Sequence, residues 1–487
     1  MFEITRRKAM AVTGLSSILS FCGLSRSAEA KPAKTENVFD AVILGAGTAG
    51  LVAAIRAHDA GAKVVVLEKM DRPDGNSLYA MGTIYGWNSR HQKKLGQTDN
   101  HQDFFDSMMK VSSGRADPAL TGTYTDRVGE SLDWLQQEIG IDFEDQTTNR
   151  GRYHSVKSDG ITGGGNLIKK LLAAAAKRHI PILYEHKAVE LLSDDKGAVV
   201  GVVAQTAQKK KTFRTKGGVL VATGGFSANQ EMTDKYIGGW ASRLALRGSR
   251  SVTGENVTLT LPLFAKMVNM DQFHAGPIIA ETHVNPNRIL NSLRGIIVDL
   301  HGNRFVDEME SYVMKSKYCA EKTAENKAFC IVDSTCPALE RELPRYDRLN
   351  SPYFRADTLE ELCRLTHLPY AAVKKVTDDY NSAVEHGTLK DMVPPCSYKE
   401  GFKIEKAPFY AVPYEGGMTA TFGGPLIDTQ ARVKNLENKV IPGLYAAGNA
   451  AGGLFFRNYN GGSQLGAACV FGTIAANEMA KRAKLAK

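Results

Sequence analysis

The apolar run Val38–Leu44, interrupted only by Asp40, reads as a buried strand. It leads into Gly45-Ala46-Gly47-Thr48-Ala49-Gly50, a helical stretch, and a second apolar run, Val64-Val65-Val66-Leu67, that ends on Glu68. Strand, glycine turn, helix, strand and terminal carboxylate together describe a dinucleotide-binding unit. Gly45 permits the tight turn, Gly47 lets backbone N–H groups approach a pyrophosphate, and Gly50 lets the helix pack closely on the sheet. The helix N-terminus turns its positive end toward the phosphates. Glu68 stands near the spacing of about 20 residues expected for a carboxylate that accepts ribose hydroxyls.

The pattern changes twice along the chain. Residues 36 to about 270 alternate strand and helix signals, as a doubly wound sheet requires. From about 271 to 421 loops and amphipathic helices take over. There Thr358-Leu359-Glu360-Glu361 forms a capping box, and Val373, Val376, Tyr380 and Val384 make one apolar stripe that stops before Gly387. Residues from about 422 to 487 return to the first style, with Leu444 at a strand end and a helix from about Ser463 to Lys481. The fold class is therefore α/β, with a nucleotide domain in two parts, 36–270 and 422–487, and a block at 271–421 inserted between them.

The segment after Glu68 narrows the choice of dinucleotide. Lys69, then Gly75-Asn76-Ser77, then Gly82 form a run that nicotinamide enzymes do not usually carry. Two further glycine punctuations follow apolar strands, at Ala222-Thr223-Gly224 and at Gly448-Asn449. In these features the chain resembles the flavoproteins of the fumarate reductase and succinate dehydrogenase superfamily, which include 3-ketosteroid dehydrogenases and tricarballylate dehydrogenases. The resemblance implies FAD, held by a Rossmann-like domain with an inserted α+β capping domain that closes over the flavin. Complex-bound members attach the flavin through a histidine whose position here is Asn76, so noncovalent FAD is expected. The helix after Gly462 is expected to bring Ser463, Gln464 and Leu465 to the flavin and to stabilise the anion of the reduced ring.

Composition adds an address. Arg6-Arg7-Lys8, a moderately apolar stretch to Leu24 and Ala28-Glu29-Ala30 resemble a twin-arginine export signal over residues 1–30, which places the mature protein in the periplasm. Removing it takes four cations and two anions from the formal +9, leaving +7, a modest excess that suits a solvated surface and docking to an acidic redox partner. Lys209-Lys210-Lys211 reads as a hairpin tip rather than a nucleic-acid patch, and no later apolar run is long enough for a membrane span. Cys319, Cys330, Cys336, Cys363, Cys396 and Cys469 lack the spacing of attached haem, and no metal is expected. A pair among Cys319, Cys330 and Cys336 could bridge, or all could be buried thiols.

The superfamily's substrate groups are altered here. The proton-donor arginine of fumarate reductases falls on Tyr312, their late carboxylate-binding arginine on Tyr459, one histidine on Ala420 and another on Gly276, two residues from His274. Tyr312 and Tyr459 match places where ketosteroid dehydrogenases have tyrosines, and Tyr153, ahead of Gly163-Gly164-Gly165, lies near a third. A phenol can donate to an enone or carboxyl oxygen and, with a lowered pKa, move a proton at the α carbon. Tyr312 is thus expected to transfer the proton and Tyr459 to polarise the carbonyl. His154, His274, Arg288, Arg294, Arg457, Thr421 and Ser463 are candidates for holding the substrate.

These readings converge on an exported FAD-dependent oxidoreductase acting on a carbon–carbon bond beside a carbonyl or carboxyl group. The first expectation is an ene-reductase taking an enoate or enone and fed by a separate cytochrome. One rival is a ketosteroid-type dehydrogenase passing electrons to a quinone or cytochrome. Another is a flavin electron-transfer subunit with no substrate of its own. The glycine run Gly163-Gly164-Gly165 is read as lacking a preceding strand, which disfavours a second nucleotide site for direct reduction by NADH.

Overall fold

A computed structural model describes residues 37–486. The expected export signal at 1–30 lies outside the described residues.

Val38–Leu44 forms the centre of an eight-stranded sheet because its side chains are buried on both faces, as the unbroken run Ala41-Val42-Ile43-Leu44 demands. Val64–Leu67 and Lys210–Val221 flank it in parallel, and Val440–Ala446 adds parallel to Lys210–Val221 on the far side. The hairpin Val199–Gln205 to Lys210–Val221 turns through 206–209, which places Lys209 at its tip and Lys210 and Lys211 at the start of the second strand. Helix Thr48–Asp59 packs against the long helix Ser463–Leu485, so residues more than 400 apart in sequence share one core.

A second sheet is built around the long strand Phe409–Thr421. Its first half pairs with Ala328–Asp333, which in turn pairs with Gly295–Asp299. Its second half pairs with Phe273–Ile278 and, in parallel, with Ala245–Leu246. Alternation sorts the side chains into two cores. Ile297, Cys330, Val332 and Val412 face one, whereas Ile296, Val298, Ile331 and Ala411 face the other. Helices Tyr312–Lys322 and Ala338–Arg348 contribute to the first core, and helices Leu359–Thr366 and Tyr370–His386 to the second. The Thr358 side chain accepts from Glu361 N–H at 3.1 Å, and Gly387 ends the last helix at φ +70°. Burial on both faces of this sheet is why the segment shows helical stripes but no alternating strands in its sequence.

The six described cysteines are free buried thiols, so no pair among Cys319, Cys330 and Cys336 is bridged. No helix among the described residues is long and apolar enough to cross a membrane.

Candidate active site

Parallel strands deliver their C-terminal ends to one edge of the first sheet. Gly45-Ala46-Gly47, Glu68, Ala222-Thr223-Gly224 and Gly448-Asn449 all follow such ends, which is where open α/β sheets bind ligands. Gly45 turns at φ +103°, and a Cβ there would lie 2.6 Å from Ala222 O. At Gly50 a Cβ would fall 1.9 Å from Gly45 O, so only glycine lets the helix start this close to the turn. By contrast, a Cβ on Gly47 would meet nothing of the chain nearer than Ser77 Oγ at 3.9 Å.

The Glu68 carboxylate accepts from Ala46 N–H at 2.9 Å and Met70 N–H at 3.0 Å. It therefore holds the glycine turn in shape, and burial raises its pKa above the ordinary carboxylate value. Thr48 Oγ1, on the first turn of the helix, is buried with no partner. An orphan hydroxyl beside an open glycine and a helix N-terminus fits a pyrophosphate. Ala49 and Leu465 are buried in the packing of the two helices behind this turn.

The segment after Glu68 is tied down mainly from within the protein. Lys69 Nζ reaches Thr253 Oγ1 at 2.7 Å and Glu255 Oε1 at 2.8 Å, so its side chain is taken up by a part-buried ion pair within the protein. Asn76 donates to Thr419 O and accepts from Ser249 N–H, both at 2.7 Å, so its amide staples three segments together. Ser77 Oγ lies 3.4 Å from Thr48 N. Gly75 opens this turn at φ +110°. Gly82 and the Gly163-Gly164-Gly165 run serve close packing: a Cβ on Gly82 would sit 2.3 Å from Gly163 C, and one on Gly164 2.2 Å from Ser77 O.

The phenols meet over a histidine. Tyr312 opens helix Tyr312–Lys322 behind the Ser311 cap, and Tyr459 lies on the loop before Gly461-Gly462. Their hydroxyls stand 3.2 Å apart, and His274 Nε2 lies 3.2 Å from Tyr459 and 3.5 Å from Tyr312. His274 comes from strand Phe273–Ile278 directly opposite Ala420, whose small side chain stands across the ladder from the imidazole. Asn449 Nδ2 donates to Gln464 Oε1 at 2.7 Å, which leaves Gln464 Nε2 to donate to His274 Nδ1 at 3.4 Å. The imidazole proton is thereby on Nε2, facing the phenols. Burial, with Arg247 and Lys317 nearby, holds the His274 pKa well below its ordinary value, so the ring is neutral. Burial likewise lifts Tyr459 well above 10, with Tyr312 adding to the shift. The Tyr153 ring packs tilted against Tyr85, with centroids 5.4 Å apart, and its pKa is raised by burial and by the charges of Tyr85 and Tyr312.

Three contacts bind the Tyr459 loop to the Tyr312 helix. Asn458 Nδ2 donates to Ser311 Oγ at 3.1 Å, Lys317 Nζ to Arg457 O at 2.6 Å, and the Arg457 guanidinium to Tyr318 Oη at 3.3 Å. Arg457 is exposed and acts here as a tie. Thr421 Oγ1 accepts from Phe226 N–H at 3.0 Å and Ser463 Oγ donates to Asn460 O at 2.7 Å, so both hydroxyls brace backbone rather than reach outward.

Three candidates lie elsewhere, and the sequence reading is corrected for them. His154 is fully buried between Ser89 Oγ, at 2.6 Å, and Arg152 O, at 3.2 Å. Arg288 pairs with Glu342 at 3.1 Å. Arg294 lies over the Phe402 ring at 4.0 Å. Conversely, Arg247 was missed. It follows strand Ala245–Leu246, donates from Nη1 to Thr419 Oγ1 at 2.8 Å, and lies within electrostatic reach of His274, Tyr312 and Tyr459. No motif marks it. The signal was in Gly276 and Gly417, which pair across the ladder beneath it.

A family model described as an FAD binding domain matches residues 40–465. The chain is 30% identical to the NADH:fumarate oxidoreductase of Klebsiella pneumoniae (strain 342), an alignment covering 98% of this chain and 51% of that protein, so it spans about half of that relative. Its fold is similar to the open conformation of a flavocytochrome c3 fumarate reductase, with a TM-score of 0.79 and 27% identity over 92% of this chain and 79% of the other. It is also similar to the 3-ketosteroid-delta4-(5alpha)-dehydrogenase of Rhodococcus jostii RHA1 in complex with 4-androstene-3,17-dione, with a TM-score of 0.75 and 26% identity over 91% and 97%. The expected α/β architecture of nucleotide domain and capping lobe is the architecture found.

Proposed function

Because the chain belongs to the FAD binding domain family, we propose that it is a flavoprotein oxidoreductase that interconverts a carbon–carbon single and double bond beside a carbonyl or carboxyl group, working as an ene-reductase. The observation that carries this reading is the chain of groups Asn449, Gln464, His274, Tyr459 and Tyr312. When bound, FAD supplies hydride exchange at a carbon of the substrate. The protein's own task is the accompanying proton and the polarisation of the conjugated oxygen.

The directions of the hydrogen bonds divide that task. His274 Nε2–H donates toward the Tyr459 oxygen, which frees the Tyr459 hydroxyl to donate to Tyr312 Oη. Tyr312 then holds the last proton of the chain, with no other acceptor among the described residues. It is the group placed to protonate the α carbon in reduction, or to receive that proton in dehydrogenation. The buried Tyr459 hydroxyl, a poorer acid, relays and polarises. Tyr153 lies within electrostatic reach of Tyr312.

Similarity to both a fumarate reductase and a ketosteroid dehydrogenase supports a small enoate or enone as substrate. In the reducing direction electrons come from a separate cytochrome or quinone-linked donor, and the residues at 1–30 carry the enzyme to the periplasm by the twin-arginine route. The FAD is held without a covalent link, since Asn76, in the register of the linking histidine, has its amide committed to Thr419 and Ser249. Anaerobic reoxidation of the reduced flavin by a panel of enoates and enones tests the reading. Acceleration is expected from at least one of them. If none accelerates it while saturated ketones reduce the oxidised flavin, the physiological direction is reversed.

A further inference from the structure

Among the described residues the two most deeply buried guanidinium groups have carboxylate partners, and the half-buried Arg247 at the site has none. Arg152 is held by Asp99 at 2.5 Å and Arg304 by Glu308 at 2.5 Å. Arg247 has no carboxylate within ion-pair distance among the described residues, and Thr419 Oγ1 is the one side chain that accepts from it. Its guanidinium is nonetheless largely withdrawn from water, half-buried against the second sheet, and desolvation pulls its pKa down. Leaving a charge in such a place is costly unless an anion arrives to meet it.

The backbone is arranged to admit this side chain. Gly276 and Gly417 stand opposite each other on adjacent strands. A Cβ on Gly276 would lie 2.5 Å from Arg247 Nη1, and one on Gly417 would lie 3.1 Å from Arg247 Cβ. Two side chains missing in register thus form a trough in which the arginine lies, and one of its two glycines, Gly276, shares the strand of His274.

We propose that Arg247 anchors the carboxylate of the substrate, and that the substrate is an α,β-unsaturated monocarboxylic acid. This rests on the ene-reductase reading above and names its substrate class. The planar guanidinium can take a carboxylate through two parallel N–H donors. A second carboxylate would find no comparable partner. Lys317 Nζ is committed to Arg457 O and lies over the Phe273 ring at 4.5 Å, Arg457 is bonded to Tyr318, and His274 is neutral. The far end of the substrate is therefore uncharged.

Calorimetric titration of the FAD-loaded enzyme with 3-phenylpropionate and with 3-phenylpropionamide, beside the kcat/KM ratio for cinnamate over benzylideneacetone, tests the assignment. The acid is expected to bind and the amide not. Arg247→Gln should lower the affinity for the acid and the acid-to-ketone kcat/KM ratio about a hundredfold. Arg247→Lys should recover part of the loss. Gly276→Ala, whose added methyl meets the mobile end of a side chain, should reproduce the loss with FAD retained. Equal affinity for acid and amide, or no change of either quantity in Arg247→Gln, overturns the proposal. Acid binding that depends on Arg247 without turnover of any unsaturated compound would leave the anchor standing and sink the ene-reductase reading. Turnover of the ketone with no preference for acids would do the reverse.

Discussion

The Tyr312 and Tyr459 hydroxyls, 147 residues apart in the chain, lie 3.2 Å from one another above His274 Nε2. One is carried by a helix of the second lobe and the other by the loop that precedes the long C-terminal helix. Their meeting closes the hydrogen-bonded chain proposed above as the proton path.

Replacing Tyr312 by Phe removes the end of that path. We expect kcat for C=C reduction to fall about 10²- to 10³-fold with a small change in KM, as for loss of a positioned general acid. Tyr459→Phe should cost less, because Tyr312 still lies 3.5 Å from His274. Steady-state kinetics with a reduced viologen donor checks both. Unchanged turnover in Tyr312→Phe would remove this residue from the mechanism.

Two glycines of the nucleotide turn should fail in different ways. Gly50→Ala drives a methyl into Gly45 O, and the protein should misfold or expose its core. Gly47→Ala finds room within the chain at φ −78°, so its fold should survive while the approach of a pyrophosphate is blocked. Circular dichroism paired with FAD absorbance separates them: Gly47→Ala is expected folded but colourless, or with FAD affinity at least tenfold weaker. A yellow Gly47→Ala protein of native affinity would displace the pyrophosphate from this turn.

Acid should weaken the fold through His154. Burial holds its pKa at about 4, below the unfolded value near 6.5. Above pH 6.5 both states are neutral. As pH falls from 6.5 toward 4 only the unfolded chain takes up the proton, so stability is lost across that window, by about 3 kcal/mol at its lower end. Urea midpoints at pH 7 and pH 4.5 should differ more in the native protein than in His154→Gln. Equal differences would place the acid sensitivity elsewhere.

The Arg304–Glu308 pair sits in the segment leading to the Ser311 cap. Glu308 also accepts from Ile297 N–H at 3.2 Å. Glu308→Gln would strand a buried guanidinium, and we expect a loss of about 3 kcal/mol in urea unfolding. The Arg304→Met, Glu308→Met double variant should recover most of it. A double variant no better than the single one would show that the pair contributes more than mutual neutralisation.

The nucleotide half was legible because its rules are local. The glycine turn, its helix and Glu68 lie within 31 residues of sequence, and each residue type has one steric or electrostatic reason to be there. The capping box at Thr358 and the stripe through Tyr380 were legible for the same cause. The second sheet was not. Gly295–Asp299 and Ala328–Asp333 are apolar on both faces, and Pro413, Gly416 and Gly417 break the pattern of Phe409–Thr421. The substrate groups were partly legible: position by position, Tyr312 and Tyr459 stood out, yet Arg247 is a lone arginine whose meaning appears only once Gly276 and Gly417 are seen to face it. The side-chain partner of Lys69 was not legible, because its sequence neighbour Glu68 lies at the nucleotide edge while Glu255 is 186 residues away.

The contacts Asn458 to Ser311, Lys317 to Arg457 and Arg457 to Tyr318 cross between the piece that carries one phenol and the piece that carries the other. Any opening that lifted the helix from the loop would break all three and draw the hydroxyls apart. Opening and protonation by this pair would then be alternatives in time. The same latch would leave the acid disassembled whenever the two pieces stood apart, so that a proton would be delivered only where the site had already shut water out.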